Sequence, residues 1–96
     1  MKTLSRNITA TDYTTTDCTL VDFNGKKVKM QYEVANAYER FNALLFDGDK
    51  FNPLFSAADL GFQTNRSTYV QSQEVRKQRA DELIKKATAQ LELLFS

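Results

Sequence analysis

The chain contains no histidine and no tryptophan, and only one cysteine, one proline and three glycines among its 96 residues. Without histidine it lacks the commonest general base, the commonest metal ligand and the usual pH switch near neutrality. A single cysteine, Cys18, forms no intramolecular disulfide and no cysteine-based zinc site, and three glycines do not build a glycine-rich phosphate loop. We therefore expect a non-catalytic protein that uses neither a metal nor a cofactor.

The charges are balanced, with 13 basic and 12 acidic residues and a net charge of +1. Such a chain has no overall electrostatic attraction to nucleic acid or to an anionic membrane. No apolar run approaches the ~18 residues of a membrane span, and the first residues contain no apolar core of signal-peptide length. We expect a cytoplasmic protein. Leu, Ile, Val and Phe make up a quarter of the residues, which predicts that residues 1–96 fold as a single domain.

The strongest local pattern is a β-hairpin. Residues 18–23 and 26–32 flank Asn24 and Gly25, which tolerate the positive φ angles of a two-residue type I′ turn. In the second arm Val28, Met30 and Tyr32 alternate with polar residues, as in a half-buried strand. Residues 4–12 predict a further, irregular edge strand.

After the hairpin the period of the apolar residues changes from two to between three and four. This predicts a helix whose apolar stripe is Val34, Ala37, Tyr38, Phe41, Leu44 and Leu45. A second, short helix is predicted from Pro53 to Leu60, because Asn52 and Pro53 resemble an N-cap and a first helical residue, with Gly61 as the stop.

The last third predicts one long helix. Residues 65–95 contain neither Gly nor Pro and would span about 45 Å at ~1.5 Å per residue, whereas a compact domain of this size is only about 30 Å across. Part of such a helix would extend beyond its own domain and need a partner. The predicted fold is therefore α+β: an N-terminal antiparallel β-hairpin of two or three strands packed on three helices, the C-terminal helix being long.

Residues 55–70 resemble a helix-turn-helix. Ala57 is the small residue at which two helices cross closely, Gly61 follows four residues later as the turn glycine, and residues 58–62 are similar to the corresponding turn of bacterial transcription regulators. A plain helical corner needs the same two residues, so both interpretations stay open. The resemblance implies that four residues face the major groove of DNA: Arg66, Ser67, Thr68 and Gln71.

Two groups of residues are candidates for binding a partner protein. The aromatic side chains Phe46, Phe51 and Phe55 surround a predicted loop and would supply apolar anchors. The basic residues Arg76, Lys77 and Arg79 lie in the densest positive segment, although interleaved acidic residues make a self-paired, solvated helix face the alternative.

The functional hypothesis is a small interaction protein that docks on a larger macromolecule, such as a phage or mobile-element inhibitor of a host protein. One alternative is a helix-turn-helix DNA-binding regulator. Another is a subunit that forms a homodimer through its C-terminal helix.

Overall fold

The computed structural model describes residues 1–35, 38–64 and 72–95, and within these it shows one antiparallel sheet and one α-helix. The five strands pair in chain order, each with the next. They are β1 (Lys2–Ala10), β2 (Thr15–Phe23), β3 (Lys26–Ala35), β4 (Tyr38–Phe46) and β5 (Phe51–Ser56). A 3₁₀ helix (Ala58–Leu60) follows β5, and α1 (Gln73–Leu94) ends the described chain.

The predicted hairpin and the predicted edge strand are both present. Phe23 pairs with Lys26 around a turn in which Asn24 has a φ of 53° and Gly25 a φ of 85°, as a type I′ turn requires. The carboxylate of Asp22 accepts a hydrogen bond of 2.8 Å from the backbone N–H of Gly25. The edge strand is β1, and its pairing with β2 is irregular between Thr3 and Ser5.

Helix α1 covers one face of the sheet, and the hydrophobic core lies between them. Alternate residues of β2, β3 and β4 point into this layer, and α1 contributes a stripe at helical spacing. The buried apolar residues are Val21, Phe23, Val28, Met30, Tyr32, Val34, Phe41, Ala43, Phe55, Ala57, Phe62, Ala80, Leu83, Ala87 and Leu91. The described residues place no helix over the opposite face, which we call the open face.

The helices predicted at residues 34–45 and 53–60 are wrong, and so is the fold of a hairpin packed on three helices. Strand β3 continues to Ala35, and β4 occupies the place of the first predicted helix. Pro53 lies in β5, an edge strand, where a residue without an N–H is tolerated. Only Gly61 keeps its predicted role, because it ends the 3₁₀ helix with a φ of 69°.

The C-terminal helix is shorter than predicted. It begins at Gln73 after an N-cap, Ser72, whose hydroxyl accepts a hydrogen bond from the N–H of Val75. Its 22 residues span about 33 Å, which is less than the 38 Å long axis of the molecule. The helix is therefore short enough to lie on its own sheet, and its length no longer implies that a partner must cover part of it.

The first helix of the proposed helix-turn-helix is not formed. Phe55 and Ser56 are in β5, and the helix that follows is a single 3₁₀ turn. The four residues assigned to the major groove, Arg66, Ser67, Thr68 and Gln71, lie outside the described residues, and so does Ala37 of the predicted helical stripe.

Candidate protein-binding surface

The first two turns of α1, residues 73–79, are joined to the sheet by charged rather than apolar side chains. Arg79 donates hydrogen bonds of 2.6 Å to both carboxylate oxygens of Glu39 on β4, and Glu39 also accepts a hydrogen bond from the hydroxyl of Tyr32 on β3. The Glu39 side chain is only 1% exposed, so its charge is compensated inside the protein. The hydrogen bond to Glu39 raises the pKa of the Arg79 guanidinium. Burial raises the pKa of the Tyr32 hydroxyl well above its ordinary range, and the Glu39 carboxylate raises it further.

Two further arginines, Arg6 and Arg76, also connect α1 to the sheet. Arg6 on β1 donates to the buried carboxylate of Asp17 at 2.7 Å and to the half-exposed carboxylate of Asp81 on α1 at 2.8 Å, and its hydrogen bond to Asp17 raises the pKa of Arg6. Arg76 is 1% exposed and donates to the hydroxyl of Thr15 at 2.6 Å. These contacts fix the position of α1 on the sheet. Arg79 is paired with a carboxylate, whereas Arg76 donates to neutral oxygens, namely the Thr15 hydroxyl and the carbonyls of Ser72, Thr11 and Asp12.

The open face carries an aromatic cluster at the end of the sheet that holds the β4–β5 turn. Phe46 and Phe51 are cross-strand partners whose ring centroids lie 5.1 Å apart. The Lys29 ammonium lies over the ring of Phe51, 4.1 Å from its centroid, and Leu44 pairs with Lys29. We call Lys29, Leu44, Phe46 and Phe51 the aromatic patch.

A bulge in the β4–β5 pairing decides which aromatic residues belong to this patch. Ala43 pairs with Phe55, but the next residue, Leu44, pairs with Pro53, so the register shifts by one residue. Such a shift moves a side chain to the other face of a sheet. Phe55 therefore packs in the core at 7% exposure, while Phe51 joins Phe46 on the open face.

The turn that joins β4 to β5 is built on Asp47. Its carboxylate accepts hydrogen bonds of 2.9 Å from the N–H groups of Asp49 and Lys50 and one of 2.7 Å from the side chain of Asn52. These donors, led by the Lys50 N–H, lower the pKa of Asp47. The turn fixes the start of β5 and with it the position of Phe51.

The predicted partner-binding residues are thus spread over three environments. Phe46 and Phe51 come together on the open face, whereas Phe55, Arg76 and Arg79 take part in contacts within the chain. Lys77 is exposed on α1. Sequence reasoning missed Lys29 and Leu44. Lys29 occupies a polar position of the correctly predicted hairpin arm, which places it on the open face, but nothing in the sequence places it over Phe51.

Among the described residues, no group of three or more Asp, Glu or Cys side chains is arranged to hold a metal ion. In the same part of the chain, no helix is both long enough and apolar enough to cross a membrane. No protein-family model matches the chain, and comparisons with curated proteins and with solved structures give no match either.

Proposed function

We propose that this chain is a non-catalytic protein-binding module that docks on a larger protein through the aromatic patch. The observation that carries the proposal is the contact of Lys29 with Phe51 beside Phe46, on a sheet face that the described residues leave uncovered by a helix. Phe is one of the aromatic residue types that are enriched in the buried cores of protein interfaces. The partner surface that fits is apolar with an acidic side chain beside it, which would pair with Lys29.

The geometry of the rings favours a protein partner over a nucleic acid. Single-stranded nucleic acids bind to aromatic residues by stacking their bases on free ring faces. One face of Phe51 is taken by the Lys29 ammonium, and the ring of Phe46 is tilted by 43° against it. An aliphatic side chain packs against such a tilted pair more readily than a flat base does.

The surface of α1 is a weaker candidate than the patch. Arg76 and Arg79 donate to groups of the sheet, and Leu83, Ala87 and Leu91 form the core stripe. On the exposed face of α1, Glu82 and Lys86 are four residues apart. A Glu–Lys pair at this spacing stabilises a helix, which explains these charges without a partner. An origin in a phage or a mobile element stays a prediction of the sequence.

The test is a pull-down with the tagged full chain from a lysate of the cells in which the protein naturally acts, with nuclease added. Three versions are compared: the unchanged chain, the double variant Phe46→Ala/Phe51→Ala, and Tyr13→Ala. Tyr13 is a matched control, because it is an aromatic residue that is 63% exposed in the β1–β2 turn, at the opposite end of the sheet. Urea unfolding of each version establishes that it is folded.

The proposal predicts one protein that is captured in a fixed ratio, survives nuclease, is retained by Tyr13→Ala and is lost with the double variant. A protein that the folded double variant captures equally well contradicts docking through the patch. Capture that disappears with nuclease contradicts the protein-binding function itself.

A further inference from the structure

The two edges of the sheet are unequal. Strand β5 is six residues long and contains Pro53, which is a common protection of an edge against further pairing. Strand β1 is nine residues long, contains no proline and is exposed throughout. Beyond the irregularity at Leu4, residues 5–10 pair regularly with β2, so a straight, unprotected edge of six residues remains.

The direction of the backbone groups along this edge follows from the β1–β2 turn. The N–H of Thr11 donates to the carbonyl of Thr14 at 2.8 Å, so the backbone of Thr11 points toward β2. Because backbone groups alternate along a strand, those of Arg6, Ile8 and Ala10 point outward to the free edge. No hydrogen bond among the described residues engages them. The same three side chains lie on the face covered by α1, because they pair with the buried residues Thr19, Asp17 and Thr15.

A cavity of about 340 Å³ opens between this edge and α1. Its apolar wall is formed by Ile8, Ala10 and Ala80, and Arg76 and Lys77 line it from the helix. A strand added to β1 would direct every second side chain toward α1 and into this cavity. Backbone pairing combined with a pocket for alternate side chains is how domains bind extended peptides by strand addition.

The charges of the cavity indicate which side chain would enter it. Arg76 is 1% exposed, and no carboxylate among the described residues lies within 4 Å of its guanidinium. Asp17 also lines the cavity but is ion-paired with Arg6, and Glu74 is exposed. Asp17 and Asp81 are both paired with Arg6, whereas no carboxylate among the described residues is paired with Arg76 or Lys77. A buried guanidinium is stabilised by a carboxylate beside it.

The same charges argue against a second copy of the chain as the occupant. Strand β1 carries Lys2 and Arg6 and no acidic residue. Antiparallel pairing of two β1 strands would therefore place no acidic side chain of the added strand in the cavity next to Arg76 and Lys77. An acidic segment of another protein is complementary where a second copy is not.

We propose that the edge of β1 and the adjoining cavity bind an extended segment of another protein, which adds to the sheet as a strand and places an acidic side chain next to Arg76 and Lys77. This site shares no residue with the aromatic patch. The proposal therefore goes beyond the proposed function and can be tested independently of it.

The experiment selects random peptides, displayed on phage and long enough to span β1, against the full chain. The most enriched sequence is then synthesised and its affinity measured by fluorescence anisotropy. We expect Asp or Glu in the enriched sequences, with aliphatic or β-branched residues two positions away. We expect Ile8→Pro to weaken binding about tenfold, because it removes one outward N–H and its hydrogen bond. Lys77→Glu should also weaken binding, and Phe51→Ala should leave it unchanged.

The matched control is Ile8→Ala, which removes the same side chain but keeps the backbone N–H. Proline is tolerated on an edge strand where its missing N–H faces solvent, so Ile8→Pro is expected to fold, and its urea unfolding curve verifies this. Equal affinity of folded Ile8→Pro and Ile8→Ala overturns strand addition, and so does a selection that enriches no peptide. Enriched peptides without acidic residues overturn the charge assignment. A dimer seen by light scattering at micromolar concentration and abolished by Ile8→Pro assigns the edge to a second copy and overturns the proposal.

Discussion

Arg79 on α1 and Glu39 on β4 form a bidentate ion pair, in which Nε and Nη2 of Arg79 each lie 2.6 Å from a different carboxylate oxygen of Glu39. The guanidinium of Arg79 also covers the ring of Phe62 at 4.6 Å from its centroid and donates to the carbonyl of Gln63. One side chain thus connects α1 to β4 and to the segment that follows the 3₁₀ helix. Residues 73–79 of α1 are held on the sheet by hydrogen bonds and ion pairs of arginine side chains.

Replacing Arg79 by leucine is expected to destabilise the protein by about 3 kcal/mol, because the variant leaves a buried carboxylate without its cation. The measurement is the free energy of unfolding in urea. The control is Arg40→Leu, which breaks an ion pair with Glu33 on the open face of the sheet and should destabilise the protein much less, because a solvent-exposed ion pair contributes little to stability. Equal losses in the two variants would show that the Glu39 pair is no stronger than a surface pair.

The Tyr32 hydroxyl makes stability depend on pH in the alkaline range. Its pKa in the folded protein is raised above the ordinary value of 10.0. Its contribution is therefore complete below about pH 10 and is lost as the pH rises toward the folded-state pKa, because the unfolded state releases the proton first. The free energy of unfolding should fall above pH 10 more steeply in the unchanged chain than in Tyr32→Phe.

The ionisation of Tyr32 is measured by the ultraviolet absorbance of phenolate, as the difference between the unchanged chain and Tyr32→Phe. We expect this difference to stay absent at pH 10 and to appear together with unfolding. A Tyr32 phenolate that forms at pH 10 in the folded protein would contradict the burial of this group.

The orientation of α1 is tested by two leucines of the same helix. Leu83 is 0% exposed and Leu93 is 75% exposed. Leu83→Ala should cost about 2–5 kcal/mol through lost burial and the cavity that remains, while Leu93→Ala should change stability by less than about 0.5 kcal/mol. Thermal unfolding followed by circular dichroism compares them. Similar losses at both positions would mean that the helix presents a different face to the sheet.

The hairpin could be predicted from the sequence because its signal is local. Asn24 and Gly25 specify the turn, and the alternation in β3 is complete from Val28 to Val34. Strand β4 could not be predicted in this way. Its core-facing residues include the charged Glu39, and its residues on the open face include the apolar Leu44 and Phe46. Apolar residues on both faces of a strand produce spacings of three and four that imitate a helix. The cation that makes Glu39 a core residue lies 40 residues further along the chain.

The candidate surface was predictable only in part for a related reason. Phe46, Phe51 and Phe55 lie close together in the sequence, but the bulge after Ala43 sends Phe55 to the core. The arginines of α1 form a basic cluster in the sequence, whereas their partners on the sheet are distant in the chain. Residues 73–79 contain one apolar residue, Val75, and it is Arg76 and Arg79 that attach this part of the helix to the sheet.

The most direct test of docking through the open face is an NMR titration of the captured partner into the chain with labelled leucine methyl groups. We predict that the methyl signals of Leu44, opposite Lys29 in the aromatic patch, shift or broaden when the partner is present at a stoichiometric concentration. The signals of Leu93, exposed near the end of α1, should stay unchanged. A perturbation confined to Leu93, with Leu44 unaffected, would place the partner on the helix and contradict the proposed function of the aromatic patch.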